Sequence, residues 1–131
     1  MMLNFIIINL IKVQMVQATK RIARLTPETT VFFECDIQER IAKAIHRFNT
    51  VAFNGGRLTQ TANFFAIPII STKQVNFGNT SELITKHHPA SIKVWEKKTF
   101  SMLNADTLPY FESLGRRNVV LYGVEAHVCM K

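Results

Sequence analysis

The longest apolar stretches of the chain are short and separated by polar segments, and their spacing alternates between two periods. Thr30-Val31-Phe32-Phe33-Glu34-Cys35 is rich in β-branched and aromatic residues and is mostly apolar, the signature of a strand buried on both faces of a parallel sheet. Asp36 ends it. From Gln38 to Phe48 the residues change to helix formers, and Ile37, Ile41, Ala44, Ile45 and Phe48 recur at three- and four-residue spacings, which predicts a helix with one apolar face. A second helical pattern runs from Thr50 to Phe65, with Val51, Leu58, Ala62 and Phe65 on one face. Asn54-Gly55-Gly56 interrupts it, and because an interior Gly costs about 1 kcal/mol relative to Ala, two short helices are expected there.

Ile67-Pro68-Ile69-Ile70-Ser71-Thr72 is the next strand, with Pro68 tolerable near its start. Thr72 to Pro89 is polar and reads as a loop holding a short helix around Ser81 to Thr85. Ser91 to Trp95 forms a third strand. Leu108, Phe111 and Leu114 mark a short helix that Gly115 terminates. Asn118 to Tyr122 is the fourth and clearest strand, and Gly123 to Cys129 leads away from its carboxyl end. Strands joined by helical crossovers argue for a parallel sheet covered by helices. The last strand has no residues left for a following helix, so the domain is expected to be truncated after its fourth strand, leaving an exposed edge that invites homo-oligomer formation.

Leu3, Phe5, Ile6, Ile7, Ile8, Leu10 and Ile11 make an earlier apolar run, interrupted by Asn4 and Asn9 and closed by Lys12. It is shorter than the ~18 residues a membrane span needs and lacks the leading charge of a signal peptide. Residues 1–24 are therefore read as an extension outside a domain at 25–131, with translation from Met15 or a basic mitochondrial leader as alternatives.

Composition narrows the class. In 131 residues, 47% are hydrophobic and ten are Phe, enough for one domain with a real core. The net charge of +7 comes from dispersed basic residues, whereas a nucleic-acid module shows a stripe or a motif, so no nucleic-acid partner is expected. Two cysteines allow one disulfide and form no secreted framework; reduced thiols in an intracellular, cytoplasmic protein are expected, with mitochondrial or peroxisomal locations as alternatives.

Three polar residues follow strands: Asp36 after the first, Lys97 after the third and Cys129 after the fourth. In parallel α/β architecture these positions converge on one rim of the sheet. An ammonium lowers a nearby thiol's pKa, a carboxylate can accept the thiol proton and return it to a leaving group, and the cation with neighbouring backbone amides can stabilise a negative oxygen. Each residue also has a plainer reading. Cys129 alone reads as a small core hydrophobe, Asp36 as a helix cap and Lys97 as a solvated charge. Cys35 is placed in the core of the first strand, and His87 and His88 read as solvated loop residues.

Phe33-Glu34-Cys35-Asp36-Ile37-Gln38-Glu39-Arg40, Lys97-Lys98-Thr99-Phe100-Ser101-Met102 and Val119-Val120-Leu121-Tyr122-Gly123-Val124-Glu125-Ala126-His127-Val128-Cys129 resemble the isochorismatase-like, or cysteine hydrolase, family, and most closely its animal isochorismatase domain-containing members. The resemblance implies a Rossmann-like three-layer α/β fold and an Asp36–Lys97–Cys129 triad, with Lys97 rather than Lys98 matching the family's lysine. It also implies a turn whose backbone at Val124, Glu125 and Val128 serves the site, with a cis peptide at Val124–Glu125. Members hydrolyse the vinyl ether of isochorismate or amides such as nicotinamide. Some bind a metal through an Asp and two His, but Lys73-Gln74-Val75-Asn76 occupies that region here, so no metal site and no cofactor are expected. The Gly-Gly interruption and the early stop depart from the family. The resulting expectation is a hydrolase domain acting on a small amide, ester or vinyl ether; the alternative is a noncatalytic interaction fragment or degenerate copy.

Overall fold

A computed structural model describes residues 24–125, Cys129 and the backbone of residues 4–7. Five strands form one parallel sheet in the order β1-β5-β2-β3-β4, with β1 at Asn4–Ile7, β2 at Thr30–Cys35, β3 at Ile69–Gln74, β4 at Val94–Lys97 and β5 at Asn118–Gly123. The β2 strand is central. All six of its residues are buried, as an apolar run enclosed by helices on both faces should be. Alternate side chains then feed two cores. Phe32, Val120 and Tyr122 pack with α1 (Phe48–Phe64) and Ile84 of α2 (Glu82–Thr85) on one face. Val31, Phe33, Cys35, Val119 and Leu121 pack with Met102 and with Phe111 of α3 (Thr107–Ser113) on the other. This is the expected three-layer arrangement.

Four expectations change. The segment Gln38–Phe48 is a 3-10 helix only over Glu39–Ala44, and α1 begins at Phe48, after Arg47 takes a left-handed conformation. The reversal at Arg47 divides what the periodicity reads as one helix. Conversely, α1 is a single helix running straight through Asn54-Gly55-Gly56. Its glycines are there for contact: a Cβ at Gly56 would sit 2.3 Å from the Leu83 carbonyl oxygen of α2. The propensity penalty of glycine is offset by the packing of two helices at near backbone distance. In α3 the stripe is partial, since Phe111 is buried whereas Leu108 lies exposed.

The fourth change concerns the edge of β5. Asn4–Ile7, from the stretch read as lying outside the domain, pairs in parallel with Asn118–Leu121, so the strand expected to be an open edge is covered on both sides. Asn4–Ile7, with Phe5, Ile6 and Ile7, supplies strand formers where an unpaired backbone was waiting. The alternative start at Met15, the leader and the expected lack of a helix after Cys129 all concern residues outside those described. No described helix is long and apolar enough to cross a membrane.

Candidate active site

The site sits at the carboxyl ends of β2, β4 and β5. Asp36 is the first residue beyond β2 and has φ +47°, an uncommon conformation that Asp tolerates better than most residues. Its amide donates to the Thr72 carbonyl at 3.2 Å, and the Thr72 hydroxyl donates to Oδ1 at 2.8 Å. Asp36 is thus no helix cap; Gln38 holds the N-cap position and makes no side-chain cap bond.

Lys97 is the last residue of β4 rather than a loop residue, and alternation turns it inward while Lys98 is exposed. Its Nζ lies 2.7 Å from Asp36 Oδ2, with both side chains buried. It donates also to Gln74 Oε1 at 2.9 Å, the Phe100 carbonyl at 3.1 Å and the Thr99 carbonyl at 3.2 Å. An ammonium out of water needs such a shell of oxygens.

Cys129 completes the group. Its Sγ lies 3.6 Å from Asp36 Oδ2 and 3.9 Å from Lys97 Nζ, and its carbonyl accepts the Met102 amide at 2.8 Å. The sulfur is buried in the same cluster as Phe33 and Met102, so it is at once a core residue and a neighbour of both charges. A hydrogen bond from the Cys35 thiol, together with the Lys97 ammonium, holds the Cys129 thiol below its ordinary pKa against burial and the Asp36 carboxylate. Cys35 moves the other way: its hydrogen bond with Cys129, burial and the Asp36 charge push it far above the usual thiol value.

The three residues singled out from the sequence are therefore brought together. The turn that follows β5 is built differently from the expectation. All described peptides are trans, including Val124–Glu125, and the chain turns through positive φ at Gly123 (+143°) and Glu125 (+53°). A Cβ at Gly123 would lie 2.1 Å from the Cys35 carbonyl oxygen, so only glycine fits. The Val124 amide donates to that same carbonyl at 3.0 Å, pinning the turn to β2 rather than facing the thiol. Val128 lies outside the described residues.

Sequence reasoning missed the supporting residues. Gln74 holds Lys97, and Gln38 in turn holds Gln74, accepting its amide at 2.7 Å and donating to its carbonyl at 2.9 Å. The available signal was positional: Thr72 and Gln74 are two apart at a strand's carboxyl end, hence on one face. Cys35 was assigned to the core, where it indeed lies, but its sulfur faces Cys129. The reading of His88 as a solvated loop residue is overturned. Its side chain is only 8% exposed and its Nε2 lies 2.8 Å from Glu34 Oε1, because the carboxylate buried in β2 needs a partner and the loop before β4 supplies it. As for metals, Cys35, Asp36 and Cys129 bring two sulfurs and a carboxylate within 4.8 Å of one another, but the Lys97 ammonium already occupies the place a cation would take beside Asp36. A concavity of about 610 Å³ lined by Ile67, Pro68, Ile92, Lys93, Trp95 and Tyr110 opens at the amino-terminal ends of β3 and β4, away from the triad.

A parallel three-layer sheet with an acid, a cation and a thiol gathered at its carboxyl rim defines a protein of the cysteine-hydrolase type. More particularly, the chain belongs to the isochorismatase-domain family, whose profile matches residues 30–131. It is 38% identical over 111 residues to isochorismatase domain-containing protein 1 of Salmo salar and 36% identical over 115 residues to that of Danio rerio, covering 84% of this chain in each case. It covers only 39% of the length of each of these relatives. Among solved structures, it resembles the MAR1 ribonuclease of Caenorhabditis elegans with a TM-score of 0.76 and 32% identity, over 82% of this chain and 56% of that one.

Proposed function

We propose that this domain belongs to a hydrolase of small amide, ester or vinyl-ether substrates in which Cys129 is the nucleophile, Asp36 the proton carrier and Lys97 the charge partner. The observation that carries the reading is the contact of one Asp36 oxygen with both Lys97 Nζ, at 2.7 Å, and Cys129 Sγ, at 3.6 Å. As a thiol, Cys129 donates to that oxygen; as a thiolate, it faces the ammonium at 3.9 Å. In the acyl reaction, Asp36 takes the thiol proton and sulfur attacks the carbonyl carbon. Lys97 balances the negative charge that passes from sulfur to oxygen. Asp36 then returns the proton to the departing amine or alcohol, leaving a thioester. Water attacks the thioester with Asp36 as base, restoring the thiol.

The test has two arms on the full chain. Alkylation of Cys129 by iodoacetamide across pH should follow an apparent pKa below the ~8.5 of a free thiol. A panel of small amides and esters should show turnover that Cys129→Ser abolishes and Asp36→Asn lowers about 100-fold or more. An ordinary thiol titration with no turnover would leave the noncatalytic interaction reading in its place.

A further inference from the structure

The hydrolytic steps above give Cys35 no part, and as a mere neighbour of Cys129 its place could be filled by a serine. A thiol there can do something a hydroxyl cannot. The chain has two cysteines in all, both free, and their sulfurs lie within 4.8 Å of one another. One belongs to the proposed nucleophile; the other is completely buried and has no other thiol of its chain to meet.

We propose that Cys35 is the resolving partner of Cys129: a hydroperoxide oxidises Cys129, and Cys35 closes the product into an intramolecular disulfide that withdraws the nucleophile reversibly. The proposal deepens the hydrolase reading and rests on it, because it requires the same reactive Cys129.

The chemistry balances in two steps. The Cys129 thiolate attacks one peroxide oxygen; an S–O bond forms, the O–O bond breaks, and the other oxygen leaves as an alcohol or water after taking a proton. Sulfur is oxidised by two electrons to a sulfenic acid and the peroxide is reduced by two. The Asp36 carboxylate, within 4.8 Å of the Cys35 sulfur, takes the Cys35 proton as that sulfur attacks the Cys129 sulfur; S–S forms, S–O breaks, and the departing hydroxide takes the proton from Asp36 and leaves as water.

The geometry assigns these roles in one direction only. Cys129 has an ammonium at 3.9 Å to support its thiolate and the hydroxide that leaves it. Cys35 lies beside the Asp36 carboxylate and is held protonated by its surroundings, so it does not attack first and does not react with bulk oxidant. It is also fixed in place. Its backbone pairs with Thr72 and Gly123, and its carbonyl accepts the Val124 amide at 3.0 Å. Closing the two sulfurs to a bond of about 2 Å therefore falls to rotation and displacement of Cys129, which lies beyond the turn.

The experiment treats the reduced full chain with hydrogen peroxide at neutral pH and follows intact mass, free-thiol count and non-reducing peptide maps. The wild type should lose two hydrogens, both free thiols should disappear, and the peptides bearing Cys35 and Cys129 should be found joined, with dithiothreitol restoring both thiols. Cys35→Ser should instead accumulate oxygens on Cys129 up to the sulfinic acid, and dithiothreitol should not reverse that state. Oxygens accumulating on wild-type Cys129 while Cys35 stays free would overturn the proposal, as would a linkage found only between two chains. The alkylation profile of Cys129 separates the two readings. A low apparent pKa without any Cys35–Cys129 linkage defeats the resolving role alone, whereas an ordinary thiol profile defeats the hydrolase reading and the peroxide step with it.

Discussion

Removing His88 should destabilise the fold most at neutral pH and least in acid. Glu34, the penultimate residue of the central strand, is 1% exposed, and its carboxylate is held by His88 and Ser71 on Oε1, at 2.8 and 2.7 Å, and by Thr59 and Tyr122 on Oε2, at 2.7 and 3.2 Å. The group ties α1, β3, β5 and the loop before β4 to the strand that leads into Asp36. With the two side chains 8% and 1% exposed, water does not screen the pair. His88→Ala removes a hydrogen bond to a buried carboxylate, worth about 1.5–3 kcal/mol, and leaves an acceptor on Oε1 without that partner inside the protein. A loss of about 1.5–3 kcal/mol at pH 7 is expected, a large part of a typical stability of about 5–15 kcal/mol.

The pH dependence carries the sharper test. Burial is the largest influence on Glu34 and raises its pKa, but the His88, Thr59 and Ser71 contacts outweigh it and hold the group below the ordinary 4.5. The unfolded state therefore binds more protons, and this contribution is present above pH 4.5 and fades as pH falls through the lowered native value. Without His88 the native pKa of Glu34 rises, because burial is then opposed only by the Thr59 and Ser71 contacts. The variant therefore loses less stability than the wild type as pH falls. Urea unfolding followed by far-ultraviolet circular dichroism should show the gap between wild type and His88→Ala narrowing from pH 7 to pH 4, and Glu34→Gln added to His88→Ala should recover part of the loss. A gap below about 1 kcal/mol at pH 7, short of the about 1.5–3 kcal/mol of a hydrogen bond to a carboxylate, or one that stays constant with pH, would refute the reasoning.

Other substitutions probe the site and its supports. Lys97→Met leaves Asp36 buried without its cation, so a loss of about 3–5 kcal/mol in urea unfolding is expected, with the alkylation pKa of Cys129 moving upward as the ammonium at 3.9 Å disappears. Gly56→Ala pushes a methyl to 2.3 Å from a backbone carbonyl and should cost about 1–3 kcal/mol. Gly55→Ala meets only the ends of the Ile84 and Ile37 side chains, at 2.8 and 2.9 Å, and should be milder in the same denaturation series; equal losses would count against the helix-contact explanation. Gly123→Ala combines a positive φ with a 2.1 Å clash against the Cys35 carbonyl. It should destabilise by about 3 kcal/mol and return Cys129 to ordinary alkylation kinetics; a native-like melt would contradict the assigned role of the glycine.

What local pattern conveyed was the layer architecture and its rim. A run such as Thr30–Cys35, apolar on both alternating faces, has to be enclosed by helices, and in a parallel sheet the residues just past the strand ends must share one border, so Asp36, Lys97 and Cys129 could be picked out from order along the chain. The position of Lys97 within β4 rather than after it did not disturb this, since the end of the strand is the same place in space. Periodicity could not report backbone approach between helices. The role of Gly56 exists only because Leu83 packs against it, and a propensity scale sees the glycine as a break. Nor could it show that Arg47 reverses the chain and divides an apolar stripe.

Partnerships between distant side chains belonged to the tertiary structure alone. Glu34 and His88, Gln38 and Gln74, and Cys35 and Cys129 are joined across strands and loops, and each pairing answers a polar group's need that arises only once burial has removed water. Desolvation is a property of the assembled interior, not of the residue. That is why a sequence could nominate the charged and nucleophilic groups, while folding chose the neighbours that set their ionisation and, for Cys35, gave a core residue its chemistry.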